Sequence, residues 1–267
     1  MTEAEAEGLV AERRNGRLAR LRQLLDEGGV LRLAEVARAL SVSSMTVRRD
    51  LAALSGEFAV LGGHVVAAGG ASSAARYALD REQGSHVPGK REAARHAARL
   101  VEDGDTLFVD CGTTMPYFVE SLPDAFALTI VCYALNVAAL ATRRPNTQVV
   151  LLGGLFHPAS ATFYSEEALR TLQDLGINKA FLSAGGIHSA RGVSCSNFNE
   201  VPVKQAALER AMRSFLVADA SKLGQLKPAR FASLDAFERI ITDAAADTAM
   251  LARVQQAGAT MDVAASA

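Results

Sequence analysis

The chain has 267 residues, a length that fits two domains, and its 49% apolar and 21% charged residues are ordinary for a globular protein. The formal net charge of -1 gives no overall electrostatic ground for binding nucleic acid or a membrane, so any such ground must be local. The longest apolar stretch, Phe126 to Ala141, is too short to span a bilayer and carries Thr129, Tyr133 and Asn136, so no membrane partner is expected. The acidic opening MTEAEAEG has no apolar core and does not read as a secretory signal. Cys111, Cys132 and Cys195 are widely spaced and form no CxxC pair, which points to a reduced cytoplasm. The histidines lack metal-ligand spacing, so neither a metal nor a cofactor is expected.

Between Gly8 and Val60 every basic residue is an arginine, and nine of them face six acids, a local balance of +3. Leu18, Leu21, Leu24 and Leu25 share one helical face, and Glu27-Gly-Gly ends that helix. Val36, Ala37 and Leu40 mark a second, shorter helix. Ser41-Val-Ser43 then makes a tight turn, with Ser43 as N-cap of a third helix reaching to about Leu54. Phe58–Leu61, Gly62-Gly63 and His64–Ala67 read as a hairpin, because paired glycines allow the positive φ of a two-residue turn. Residues 13–71 are thus expected to form one domain.

Periodicity is lost over 72–89, which reads as a linker. Residues 90–258 then alternate helix and strand. A helix over Lys90–Glu102 leads into strands at Thr106–Asp110, Leu128–Cys132, Gln148–Leu152, Ala180–Ala184, Phe215–Asp219 and Arg239–Thr242. That alternation predicts an α/β domain whose mostly parallel sheet is covered on both faces, with ligands bound beyond the carboxyl ends of the strands.

The stretch LAEVARALSVSSMTVRRDL (33–51) has helix-turn-helix spacing. Small Ala37 permits close helix approach, Val42 plugs the joint, and Val47, Leu51 and Leu54 form the apolar back of the third helix. Met45 and Arg49 point away from that back, with Thr46 and Arg48 on its flanks. Such a front suits the major groove of double-stranded operator DNA. Ser43, Ser44 and Thr46 lie near the helix N-terminus, where they can reach base edges or phosphates. Arg48 and Arg49 can each grip a guanine or clamp a phosphate. The hairpin would be a wing, with His64 against the DNA backbone. The blander reading is an amphipathic bundle whose arginines only pair with neighbouring acids; the wing and the local positive balance favour DNA. Asp50 is expected to orient an arginine.

SVSSMTVRRDL, a winged hairpin and LVEDGDTLFVDCGTT together resemble the DeoR family of bacterial transcriptional repressors, and the likeness runs from about Arg14 to Asp243. AVLGGHVV, LFVDCGTTMPYF, VCYALN, GGLFHPASATF, CSNFNEVPVK and SKLGQLKPAR are most similar to the deoxyribose branch of that family. Most members carry Arg-x-His-Gly-Gly-Ala after the wing; here Val66-Ala-Ala-Gly-Gly-Ala71 lacks the arginine and histidine, as fits that branch. The resemblance implies an N-terminal winged helix-turn-helix and a C-terminal domain resembling the ribose-5-phosphate isomerase and CoA-transferase-like fold. It also implies 2-deoxyribose 5-phosphate as the phosphosugar inducer and deoxyribose or nucleoside catabolic genes as targets, and a homo-oligomer is expected because an isolated head makes few contacts with DNA. Ribose 5-phosphate or another phosphosugar is the main rival.

The residues of the second domain fit such a ligand. Gly112, Thr113 and Thr114 precede a helix beginning near Met115, whose dipole favours an anion. Asp110 at the strand end can accept sugar hydroxyls. Tyr133 and Asn136 follow the next strand, Gly153-Gly154 the next and Gly185-Gly186 the one after. Glu200 and Lys204 share a helix face, and Lys222 offers a cation near a further strand end. Taken singly, these are a helix cap, a surface ion pair and turns; at successive strand ends they read as one pocket. Cys111 and Cys195 read as small packing or pocket-lining residues. Glu200, Asp110 and Lys204 could also be cast as an isomerase's base and acid, but the acidic Asp-Gly-Ala-Asp loop and the Lys-Gly-Gly-Gly loop of such isomerases are missing. A sensory pocket with no catalysis is therefore expected.

Overall fold

The structure is a computed structural model that describes residues 16–17, 20–21, 30–52, 58–61, 64–67 and 82–265. It divides into two compact units, Met1–Tyr77 and Ala78–Ala267.

In the first unit, β1 (Val30–Arg32), α1 (Leu33–Ala39), α2 (Ser44–Ala52), β2 (Phe58–Leu61) and β3 (His64–Ala67) follow in order. Ser41 takes a positive φ of 54° in the short turn between the helices, and Val42 N–H donates to the Ala37 carbonyl at 3.0 Å. Leu21, Leu33, Val36, Ala37, Val47 and Leu51 form the core, with Leu40 and Val42 packed against it. The expected first helix shows helical backbone at residues 16–17 and 20–21, while Leu18, Leu24, Leu25 and Glu27-Gly-Gly lie outside the described residues, as does Leu54. Strands β2 and β3 pair antiparallel with Leu61 opposite His64, the register a two-residue turn requires, although Gly62 and Gly63 themselves are outside the described residues. Strand β1 was not anticipated; it pairs antiparallel with β3 and makes the sheet three-stranded.

The second unit begins with a helical turn at residues 82–84 and then α3 (Val87–Ala98). The helix thus starts earlier than Lys90, because Pro88 fits the first turn, where its missing N–H costs nothing. Then come β4 (Thr106–Val109), α4 (Met115–Ser121), β5 (Leu128–Cys132), α5 (Leu135–Ala141) and β6 (Thr147–Leu151). A hairpin of β7 (Leu155–His157) and β8 (Thr162–Tyr164) precedes α6 (Glu166–Asp174) and β9 (Ile177–Leu182). Next are β10 (Gly186–His188), β11 (Gly192–Cys195), α7 (Val201–Arg210), β12 (Ala211–Val217) and β13 (Ala229–Ala232). The chain closes with β14 (Arg239–Thr242), α8 (Thr248–Gln256) and β15 (Met261–Val263), so the sheet runs past residue 258.

The main sheet has seven strands in the order β15-β14-β12-β9-β4-β5-β6, and every pairing in it is parallel. Strands β4 and β9 are buried almost throughout, which explains their continuous apolar runs. Phe118, Phe181 and Phe215 stack through its core at centroid distances of 4.3 and 5.1 Å. Helices α3, α4 and α5 pack side by side, and α6 packs on α7. The strand order reverses between the neighbours β4 and β9: from β4 the chain winds toward β6, from β9 toward β15. Loops leaving two such strands diverge and open a crevice between them.

One polar cluster secures the opposite end of these strands. Lys179 on β9 is buried and donates to Asp105 at 2.8 Å and to Glu102 at 2.7 Å. Lys179→Met should destabilise the protein by about 3–5 kcal/mol in denaturant unfolding, because it leaves the buried Asp105 carboxylate unpaired. Arg213→Met, at the half-exposed pair with Glu238, should cost far less; equal losses would contradict this assignment.

Candidate effector crevice and DNA-facing helix

The β4–β9 crevice gathers most of the expected ligand residues into one hydrogen-bonded cluster. Asp110, directly after β4, is fully buried. Its Oδ1 accepts from the Tyr133 hydroxyl at 2.8 Å, and its Oδ2 accepts from the Ser183 amide at 2.7 Å and from the Lys204 ammonium. Lys204 also donates to the Ser183 carbonyl at 3.2 Å, sits 3.6 Å from Glu200 Oε2 and lies over the Phe231 ring at 5.0 Å. Glu200 accepts from Asn197 Nδ2 at 2.6 Å and from the Cys111 thiol at 3.4 Å.

Electrostatics keeps this cluster closed. Burial alone would lower the Lys204 pKa, but Asp110, Cys111 and Glu200 around it outweigh that and hold it well above the ordinary lysine value. Burial, reinforced by Asp110 and Glu200, pushes the Cys111 thiol well up, and burial with Asp110 does the same to the Tyr133 phenol. Burial also raises Cys195, to about 12. All three stay protonated at neutral pH, so neither cysteine is an activated nucleophile.

Gly112 shapes the crevice mouth. Its φ is +98°, and a Cβ there would sit 2.7 Å from Ser183 Oγ, so only glycine fits. Ser183 Oγ donates to the Cys111 carbonyl at 2.7 Å, and Asn136 Nδ2 donates to the Gly112 carbonyl at 3.3 Å, which ties three strand-end loops together. Thr113 and Thr114 are buried at the start of α4, whereas Gly112, Asn136 and Gly185 are half-buried at the rim. Gly186 is buried and opens β10.

Three expectations change. Asp110, read as an acceptor for sugar hydroxyls, has both oxygens engaged by protein donors, and together with Lys204 and Glu200 it forms a buried floor. Lys222, read as a phosphate partner, has its ammonium paired with Glu82. That carboxylate, in the stretch read as linker, also lies 3.8 Å from the buried Lys90. Burial would raise the Glu82 pKa, but Lys222 and Lys90 lower it overall. Gly153 and Gly154 serve the β7–β8 hairpin instead: the Gly153 carbonyl accepts from Ser165 Oγ at 3.2 Å, and Gly154 lies against the Tyr164 carbonyl. Sequence reasoning missed Ser183 and Asn197. The expected strand Ala180–Ala184 put Ser183 inside the strand, whereas β9 ends at Leu182 and leaves Ser183 at its carboxyl end.

In the first unit, Ser43 Oγ accepts from the Thr46 amide at 3.1 Å and lies 2.9 Å from Thr46 Oγ1, so it caps α2 as expected. Val47 and Leu51 face the core, Met45 and Arg49 are exposed, and Ser44 and Thr46 are half-buried. Asp50 is buried and accepts from Arg17 Nε at 2.8 Å, an orienting role. Arg48 and His64 lie on α2 and β3, but their side chains fall outside the described residues. Among the described residues no His, Cys, Asp or Glu group could hold a metal ion, and no helix is long and apolar enough to cross a membrane.

Comparison with known proteins agrees with this division of labour. Residues 17–73 match the DeoR-like helix-turn-helix domain, and residues 85–244 match the DeoR C-terminal sensor domain. The chain is 39% identical over 231 residues to the deoxyribose operon repressor of Escherichia coli K12, covering 86% of this chain and 91% of that one. It is 32% identical over 234 residues to a lactose phosphotransferase system repressor of Staphylococcus epidermidis, covering 85% and 91%. Ribose 5-phosphate isomerase A from Methanocaldococcus jannaschii is similar over 53% of this chain and 57% of that one, with a TM-score of 0.41 and 16% identity, a likeness too distant to bear on function. Two domain matches covering most of the chain, and full-length relatives above 30% identity, place it plainly: the protein belongs to the DeoR family of transcriptional regulators.

Proposed function

We propose that this DeoR-family protein represses a deoxyribose or deoxyribonucleoside catabolic operon and is released from its operator by 2-deoxyribose 5-phosphate. The helix α2, with an apolar back and Met45 and Arg49 exposed, is the DNA-reading element. The β4–β9 crevice is the effector site, and the protein works as a homo-oligomer that sets two or more heads on operator half-sites. The 39% identity to a deoxyribose operon repressor supports the sugar. Because a 32% identical relative is named for lactose, a different phosphosugar is the second reading.

The observation that carries sensing over catalysis is the engagement of Asp110, Glu200 and Lys204 with one another. A sugar-phosphate isomerase needs a carboxylate free to take a proton from the sugar carbon. Here Asp110 is held by Lys204, Tyr133 and Ser183, and Glu200 by Asn197 and Cys111. Such a floor shapes a crevice and holds its loops in register.

Two outcomes test this reading. Arg49→Ala or Arg48→Ala should weaken operator binding by about 1–3 kcal/mol in a titration at fixed salt; unchanged binding by both variants would remove α2 from the interface. Lys204→Met should destabilise the sensor unit by about 3–5 kcal/mol, and Asp110→Leu/Lys204→Met should recover part of that loss, since one of the two buried carboxylates left without a cation is removed and Glu200 keeps its bonds from Asn197 and Cys111. Both variants should lose the effector response. A double variant no more stable than the single one would contradict the ion pair's place in the floor.

A further inference from the structure

The buried floor poses an electrostatic problem for a phosphorylated ligand. Asp110, Glu200 and Lys204 sum to a formal charge of -1. A phosphate monoester carries nearly two further negative charges at neutral pH. The seven-residue α4 is too short to offset that charge by itself, and a full cation beside the crevice would balance it. Lys204 is locked in the floor, Lys222 is paired with Glu82, and Lys90 is sealed behind the same glutamate.

We infer that Lys227 is the residue that grips the ligand's phosphoryl group, an inference that rests on the sugar-phosphate reading of the crevice. Two glycines are needed to bring it there. A Cβ on Gly185 would lie 2.9 Å from Lys227 Cγ, and one on Gly186 would lie 2.6 Å from the Gln225 carbonyl oxygen. The segment from Gln225 to Lys227 therefore lies directly on the Gly185-Gly186 backbone, and the lysine stem runs along Gly185. Buried Ser194 fastens this contact: its hydroxyl accepts from the Lys227 amide at 2.9 Å and donates to the Gly186 carbonyl at 3.3 Å. Its carbonyl accepts from the Gly185 amide at 2.9 Å.

Gly185 is two residues beyond Ser183, which packs on Gly112, so the lysine is built onto the crevice's own loop. Lys227 is half-buried, and it makes no ion pair among the described residues. A flexible point charge on a fixed stem suits a phosphate, and it explains why the loop after β9 carries two glycines.

The test is calorimetric titration of full-length protein with 2-deoxyribose 5-phosphate, ribose 5-phosphate, unphosphorylated 2-deoxyribose and inorganic phosphate. Lys227→Gln should weaken the phosphosugar that wild type prefers by at least about tenfold, as expected for losing a charged hydrogen bond. Its operator affinity should match wild type, and Lys222→Gln should bind the phosphosugar within a few-fold of wild type. Wild-type affinity in Lys227→Gln overturns the assignment while leaving the crevice reading intact. No binding of either phosphosugar by wild type overturns the assignment together with the pentose-phosphate reading it rests on. Inorganic phosphate binding as tightly as the phosphosugar overturns the sugar ligand. Should Lys227→Gln also lose operator binding, Lys227→Arg decides: near-normal ligand affinity supports the charge, and a loss as large as the glutamine variant's refutes it.

Discussion

Lys204 reaches across the point where the parallel sheet reverses its winding and closes on Asp110. Two strands whose loops diverge would otherwise leave an open cleft, and the pair pins the β4 loop and the β9 loop to α7. Such a pair is costly to bury and is sustained only when the remaining lone pairs and protons are satisfied. Tyr133, Ser183, Glu200 and Asn197 do that here. The crevice above is consequently shaped by a rigid base, with Gly112, Asn136 and Gly185 half-buried at its rim.

The glycine pair after β9 links this base to a second charged cluster. Gly224 N–H donates to the Ile187 carbonyl at 2.8 Å, so the segment carrying Lys222 and Lys227 is bonded to the strand that Gly186 begins. Lys222 meets Glu82, one of the first described residues of the sensor unit. One continuous loop thus touches both the crevice and the start of the unit. The affinity change a ligand can impose on DNA binding is limited to its own preference between the two states of the protein, and the coupling is reciprocal.

Much of the fold was legible because burial writes itself into apolar runs. Leu128–Cys132 and Arg239–Thr242 fall on their expected bounds, while Thr106–Asp110 ends one residue early, at Val109, although the Asp110 amide still donates to the Phe181 carbonyl of β9 at 3.0 Å. The expected strand at Gln148–Leu152 lies one residue earlier, and those at Ala180–Ala184 and Phe215–Asp219 begin three and four residues earlier and end two residues earlier. Strands β1, β7, β8, β10, β11, β13 and β15, of three or four residues each, are too short to show an alternation. In the site, Asp110 and Tyr133 stood out as polar residues beside strand ends, and Glu200 and Lys204 as a charged pair on one helix face. Ser183 did not, because the expected strand Ala180–Ala184 hides it inside a strand that in fact ends at Leu182. The pairing of Lys222 with Glu82 was not legible because the two lie 140 residues apart, with Glu82 in a stretch without periodicity.

The head and the sensor are joined in one chain, and the central claim is that occupancy of the crevice changes the grip on DNA. The most direct measurement is operator affinity of the full-length protein at one stated salt concentration, with and without saturating 2-deoxyribose 5-phosphate. The account predicts a clear weakening with the phosphosugar and none with unphosphorylated deoxyribose. Identical operator affinity in all three conditions, in a protein shown to bind the phosphosugar, would contradict it.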